Sequence, residues 1–433
     1  ERFRKGSNMR QIRLTPSGCQ IWHKNVIGSS NDKFAFCSTL AIYVYNLADY
    51  SMEKIIAGHE STISAMAWNQ QDQNLLATGS IDGNFYIWQV DAEDPFMHVA
   101  LPDLAVMMNW NPFDVQSLVL VLENGEVRLL NYKQKKLDKL ASLGKGNPKL
   151  ARWHPTTPNK IAVGCNDGVL HIYTLGKSKS VKIPTKHKIP VEDLQWDPLS
   201  SNYILVSYKD GSMSLFDTDT EKEMQSFERQ GAGVKCILWI KKQPGDFITV
   251  SDRIAAIKFW NVSSKAPRKT VKVGASGFKD ISILNSVDYP DRMLCAFKSG
   301  SVGIYNLITN KMDFMTEPGH TETAFDIKFK PGNSNILASA SYDGTVKLWD
   351  VASMKNLATL KAGATTLGNA SIASSEDREV VYGCSWAPGD DPRIMGVTVR
   401  GEVIVWDSEK NRLLNNFQPG YSVPIYRCDW NPH

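Results

Sequence analysis

The chain has 433 residues, 42% of them hydrophobic and 10% aromatic, with a formal net charge of +4. That length exceeds one ordinary domain but suits an array that grows by adding units without enlarging a single core. The small net charge gives no argument for a nucleic-acid partner, and none is expected. The seven cysteines, scattered singly without a CxxC pair, argue against a zinc site and a disulfide framework. No apolar run approaches the ~18 residues of a membrane span and no signal peptide is visible, so a reducing, cytoplasmic setting is expected.

In chain order, the first expected element is a strand around Met9–Leu14. From there, alternating strands end in an aromatic followed by a turn. The anchors are Trp68, Trp110, Trp153, Trp196, Trp239, Phe329, Trp386 and Trp430, with Trp22 and Leu284 as looser members, spaced 46, 42, 43, 43, 43, 45, 45, 57 and 44 residues apart. After most anchors comes a tight-turn signal and a second alternating run, as in SIDGNFYIWQ from Ser80, NDGVLHIYTL from Asn166 and SASYDGTVKLWD from Ser339. Five positions beyond each turn glycine stands a large apolar residue: Trp88, Leu130, Tyr173, Phe216, Tyr305, Trp349 and Trp406. Glycine accepts positive φ without strain, and the bulky residue fills a fixed place in the packing. A period near 43 with four short strands per unit is that of a β-propeller blade.

Gly58-His59 and Gly319-His320, together with Ile87-Trp88, Trp349-Asp350 and Trp406-Asp407, resemble the WD-repeat family. The resemblance spans nearly the whole chain, two units matching it closely and the others mostly by period. It implies an all-β fold, a seven-bladed WD-repeat β-propeller followed by the first blades of a second propeller. It also implies a buried hydrogen-bond chain, His59, Thr78, Asp82 and Trp88 in one blade and His320, Ser339, Asp343 and Trp349 in another. A buried aspartate must be paired, and a histidine with an indole N–H can supply the links.

If the strand at 9–14 serves as the outer strand of blade seven, the first propeller covers residues 1–310. Residues 311–433 then hold two blades and one strand of a second, and the unpaired edge this leaves implies a chain that continues past His433.

Several stretches invite chemistry. Histidine, serine and aspartate converge around His59 and His320, but acyl transfer needs an exposed nucleophile and an oxyanion site, so an architectural role is expected. Asp217, Asp219, Glu221 and Glu228 fall at calcium-loop positions, yet Lys222 stands where the loop requires glycine, so a solvated hairpin is expected. GKGNPK from Gly144 is too short a signal for a phosphate loop. Cys384 and Cys428 precede their anchors by two and read as small core residues. The stretch from Lys361 to Val380 reads as a mobile loop between blades. No catalytic residue, metal or cofactor is expected.

Lysine clusters carry the strongest polar signal. Lys133, Lys135 and Lys136, then Lys177, Lys179 and Lys182, then Lys265, Arg268 and Lys269 fall where the third strand of blades three, four and six gives way to the outer strand. They could line one rim as a footprint for tubulin or acidic protein tails, although charge on outer strands also deters edge pairing. The expected function is a non-enzymatic scaffold for the proteins of a multi-subunit assembly, in a ciliary or other microtubule setting. The alternatives are a peptide- or modified-tail-recognition module using the central channel, and a subunit like those of vesicle coats or intraflagellar transport.

Overall fold

A computed structural model describes residues 16–177, 180–185, 188–240, 243–274, 276–317, 319–362, 380–418, 420 and 423–431. Among these residues the chain is all-β, built as nine four-stranded sheets, each from four consecutive antiparallel strands. The arrangement is that of a β-propeller. Among the described residues no helix is long and apolar enough to cross a membrane.

The chain divides into two compact units, Cys19–Thr316 on one hand and Glu1–Gly18 with Glu317–His433 on the other. The larger unit holds seven sheets, whose first strands are Ile27–Ser29, Ile63–Trp68, Ala105–Trp110, Pro148–Trp153, Val191–Trp196, Cys236–Trp239 and Phe278–Ile283. Each first strand packs on the next, and the seventh packs on the first. At that last seam Asn25 N donates to Asp280 Oδ2 at 2.8 Å and Asn285 N to Ser29 Oγ at 3.0 Å. The core is a belt of buried side chains between neighbouring sheets, and its first section joins Phe34, Phe36 and Trp68 to Leu284, Leu294 and Ile304. Both ends of the unit rest on one turn of the seventh sheet: Cys19 N bonds Gly300 O and Thr316 N bonds Val302 O, at 2.7 and 2.8 Å.

Three expectations change. The outer strand of the seventh sheet is Lys311–Met315, paired on Val302–Asn306, and the residues expected there, 9–14, lie outside the described residues. Four consecutive strands complete this sheet because Asn310, at φ 56°, turns the chain back at once. The unit boundary therefore falls at Thr316/Glu317, not at 310/311.

The smaller unit has two complete sheets, opening with Ala324–Lys330 and Val381–Trp386, but the expected further strand is not formed. Residues 423–431 run beside the second sheet, with Ile425 N on Thr398 O and Trp430 Nε1 on Ser385 O, and carry no ladder. Among the described residues no strand pairs with this segment. The 361–380 loop lies almost wholly outside the described residues.

Turn glycines sit between the second and third strands. Gly344 has φ 78°, and a side chain at Gly125 or Gly211 would run into the carbonyl of Gly144 or Gln230. The third strand is buried on both faces: Val346, Lys347, Leu348 and Trp349 are all buried, with Lys347 Nζ satisfied by Thr359 Oγ1 at 3.0 Å. Simple in/out alternation fails because a neighbouring sheet or strand covers each face.

Candidate functional site

The complete hydrogen-bond chain is in the smaller unit. Trp349 Nε1 donates to Ser339 Oγ at 2.7 Å, Ser339 Oγ lies 2.7 Å from His320 Nε2, and His320 Nδ1 lies 2.9 Å from Asp343 Oδ2. One proton assignment serves every atom: the indole donates to the hydroxyl, the hydroxyl to Nε2, and Nδ1–H to the carboxylate. The Asp343-Gly344 turn brings the carboxylate to the start of the first strand, where Thr321 N and Thr345 Oγ1 also donate to it. Burial works against this charge, yet the His320 hydrogen bond holds the carboxyl below its ordinary range. Ser339 is buried and its hydroxyl is committed at both ends, so the group locks a turn to a strand.

In the second sheet the chain is cut short. Trp88 Nε1 donates to Thr78 Oγ1 and Thr78 Oγ1 meets His59 Nε2, both at 2.7 Å, but the expected link from His59 to Asp82 is missing. Asp82 is exposed and takes the hydroxyl of Ser80 and the amide of Asn84 instead, and the hydroxyl of Ser61 lowers its pKa further. His59 Nδ1 is left buried without a hydrogen-bond partner, and burial pushes the imidazole down to about 4. Ser80 takes the place of a longer reach because its hydroxyl is two residues from the carboxylate.

A third indole link went unpredicted: Trp260 Nε1 donates to Thr249 Oγ1 at 3.0 Å in the sixth sheet. Its turn, SDRIAA, carries no glycine, so the usual marker is absent. A threonine eleven residues before a tryptophan is the only sequence trace.

The anchors prove to be staples between sheets. Trp110, Trp153, Trp196 and Trp239 donate their indole N–H to the carbonyls of Ala67, Asn109, Arg152 and Gln195 at 2.9, 3.1, 3.1 and 3.2 Å. Trp386 and Trp430 reach Lys328 and Ser385 in the same way. Each acceptor is the residue just before the preceding anchor. Trp68 is the exception and bonds Gln73 O in its own turn. Because the ends of successive first strands are stapled together, those strands run in one direction.

That shared direction places the turns between third and fourth strands at one end of the larger unit. Lys133 and Lys135 lie in the turn after Glu126–Asn131, Lys177 in that after Val169–Thr174, and Lys265 and Arg268 in that after Ala256–Asn261. Lys136, Lys182 and Lys269 belong to the outer strands that follow. All of these are exposed, and Lys179 lies outside the described residues. Part of the charge is already matched: Lys136 pairs with Asp138 at 2.8 Å, Arg268 with Asp246 at 3.2 Å, and Lys269 lies over the Phe259 ring. The corresponding turn of the fifth sheet carries Asp219 and Glu221, and Asp217 Oδ1 there accepts the amides of Asp219 and Thr220. Cys384 is buried and Cys428 partly so, and burial pushes the Cys428 thiol up to about 12.

Four-stranded units locked by a histidine, a hydroxyl and an indole are the pattern of WD repeats, and the WD domain, G-beta repeat family matches residues 51–89 and 313–350. These two segments contain the two histidine-bearing chains. The family described as Anaphase-promoting complex subunit 4 WD40 domain matches residues 151–242. Among individual proteins, apoptotic protease-activating factor 1 of Rattus norvegicus is 35% identical over 107 residues, 24% of this chain and 8% of that protein. Coronin-7 of Rattus norvegicus is 30% identical over 118 residues, 27% of this chain and 11% of its own length. WD repeat and SOCS box-containing protein 1 of Xenopus tropicalis is 29% identical over 122 residues, 28% of this chain and 25% of its own length. The matched region is thus a small part of each relative.

Proposed function

We propose that this chain is a non-enzymatic scaffold that joins the proteins of a large cytoplasmic assembly, in a ciliary or other microtubule-associated setting. Cys19–Thr316 would be a complete seven-bladed ring, and the smaller unit part of a second. The observation that carries the reading is the gathering of exposed lysines on turns at one end of the larger unit. Lys133, Lys135, Lys177, Lys182 and Lys265 have no ion-pair partner among the described residues, which leaves their charge for acidic tails such as those of tubulin. The likeness to a protein named as a subunit of the anaphase-promoting complex supports membership of an assembly.

A second reading is a subunit of a vesicle coat or of intraflagellar transport. It is favoured by GCQIWHKNVIG and VEDLQWDPLSSNYILV, which resemble WD repeat-containing protein 17. The test is binding of the intact chain to purified tubulin with and without its acidic tails, across a salt titration. Tail-dependent binding that weakens steeply with salt, and at least tenfold in Lys133→Glu/Lys177→Glu/Lys182→Glu, is expected. Equal binding by parent and variant would remove the basic end from the reading.

A further inference from the structure

At the opposite end of the larger unit, where the first strands begin, charged side chains on or beside six of the seven sheets meet around a cavity of about 390 Å³. Five cations line it, Lys24, Lys149, Arg152, Lys235 and Lys279, against three carboxylates, Glu123, Glu192 and Asp193.

Two of the carboxylates are already committed. Glu192 serves two lysines at once, with Lys149 Nζ and Lys235 Nζ each 2.5 Å from one of its oxygens. Asp193 accepts the amides of Ile237 and Leu194, at 2.9 and 3.0 Å. Lys24 reaches across the axis to Lys235 O at 2.8 Å and stands 3.8 Å from Asp193.

Two cations are left without adequate partners. Arg152 approaches Asp193 only to 3.8 Å, and its Nε is buried with no hydrogen-bond partner. Lys279 Nζ reaches one carbonyl, Trp22 O, at 3.3 Å, while the neighbouring Asp280 is turned to Asn25 N. Both side chains are half-buried, and a cation held partly away from water without a counter-charge is costly, so the surplus marks room for an anion.

We propose that this channel mouth binds a compact, multiply charged anion, a free polyphosphate or phosphate ester, held by Arg152 and Lys279 with Lys149 and Lys235 at its flank. The lining cations outnumber the lining carboxylates by two, and by one once Asp280 beside Lys279 is counted. The cavity has the volume of about a dozen waters, enough for a diphosphate group. Burial pushes Lys279 down to about 8, consistent with a cation that has no ion pair among the described residues. This site lies away from the lysine-bearing turns and stands independently of the scaffold reading.

The test is titration of the full chain with inorganic pyrophosphate at constant ionic strength, read by calorimetry and by melting temperature, with sodium chloride as the matched control. Saturable binding and a rise in melting temperature with pyrophosphate alone are expected. Lys279→Gln, which breaks no ion pair, should weaken binding at least tenfold, as should Arg152→Gln if it folds. Lys133→Gln, on a turn at the other end of the unit, should bind as the parent does. A phosphoserine peptide that displaces pyrophosphate would place the phosphate on a protein partner and support the same site. An identical response from parent and Lys279→Gln, or none beyond that of chloride, would overturn the proposal.

Discussion

Asp343 and Asp82 occupy matching turns, yet their neighbours decide what each contributes. Asp343 carries a charge in a largely buried place and takes hydrogen bonds from His320, Thr321 and Thr345. Removing it strands a buried imidazole, so Asp343→Ala is expected to cost roughly 3 kcal/mol. Asp82 is exposed and caps a turn with Ser80 and Asn84, so Asp82→Ala is expected to cost about 1 kcal/mol or less. Amide-exchange protection of Asn333–Ser341 and of Leu75–Ser80 in the two variants measures the difference. Equal losses would mean that the turn alone, and not the histidine link, matters in both.

Between elements, the indole staples make the seams. Trp153 gives its N–H to the Asn109 carbonyl, and its own amide to the Asn109 side chain at 2.9 Å. Trp153→Phe deletes the staple and also leaves space where the indole was, so its loss should exceed the roughly 1 kcal/mol of one hydrogen bond. Faster amide exchange is expected along the seam between Ala105–Trp110 and Pro148–Trp153. Trp68→Phe loses a bond inside its own turn, so it should leave the seam on its N-terminal side unchanged. If both variants loosened their seams alike, packing area and not the N–H would be holding the sheets together.

For the whole molecule, acid should act through histidines buried without charge. His154 Nδ1 accepts the amides of Thr156 and Thr157, a bond only the unprotonated nitrogen can make, and burial pushes the ring down to about 4. His59 has the same value for the same reason. A depressed imidazole stabilises the fold fully above pH ~6.5, the unfolded value, and loses that contribution as pH falls toward 4. The loss is about 3 kcal/mol for each ring. Glu192, which burial opposes but three lysines hold charged down to about 2, adds to the decline below pH ~4.5. Melting followed by circular dichroism should therefore weaken continuously from pH 6.5 downward, and a flat profile from 7 to 4.5 would contradict these assignments.

How much of this was legible depended on whether the determinant was local. Period, turns and the His320 chain were, because a glycine at positive φ and a tryptophan five residues on leave marks in one short stretch. The fate of Asp82 was not, since three nearby groups compete for one carboxylate. The outer strand Lys311–Met315 alternates regularly, but residues 9–14 offered a rival run for the same place, and five residues of alternation do not say which sheet they join. Lys24, Lys149, Arg152, Glu192, Lys235 and Lys279 lie far apart in the chain and meet only once the sheets come round an axis.

One turn, Gly300–Val302, holds both the first and the last residue of the larger unit. On the other side of that passage, Gly18 N and Ser17 Oγ both bond His320 O, three residues beyond Glu317. The seven-sheet unit thus has its two ends side by side, as a cassette with paired leads. Such a cassette could be excised or transplanted without either neighbour having to stretch.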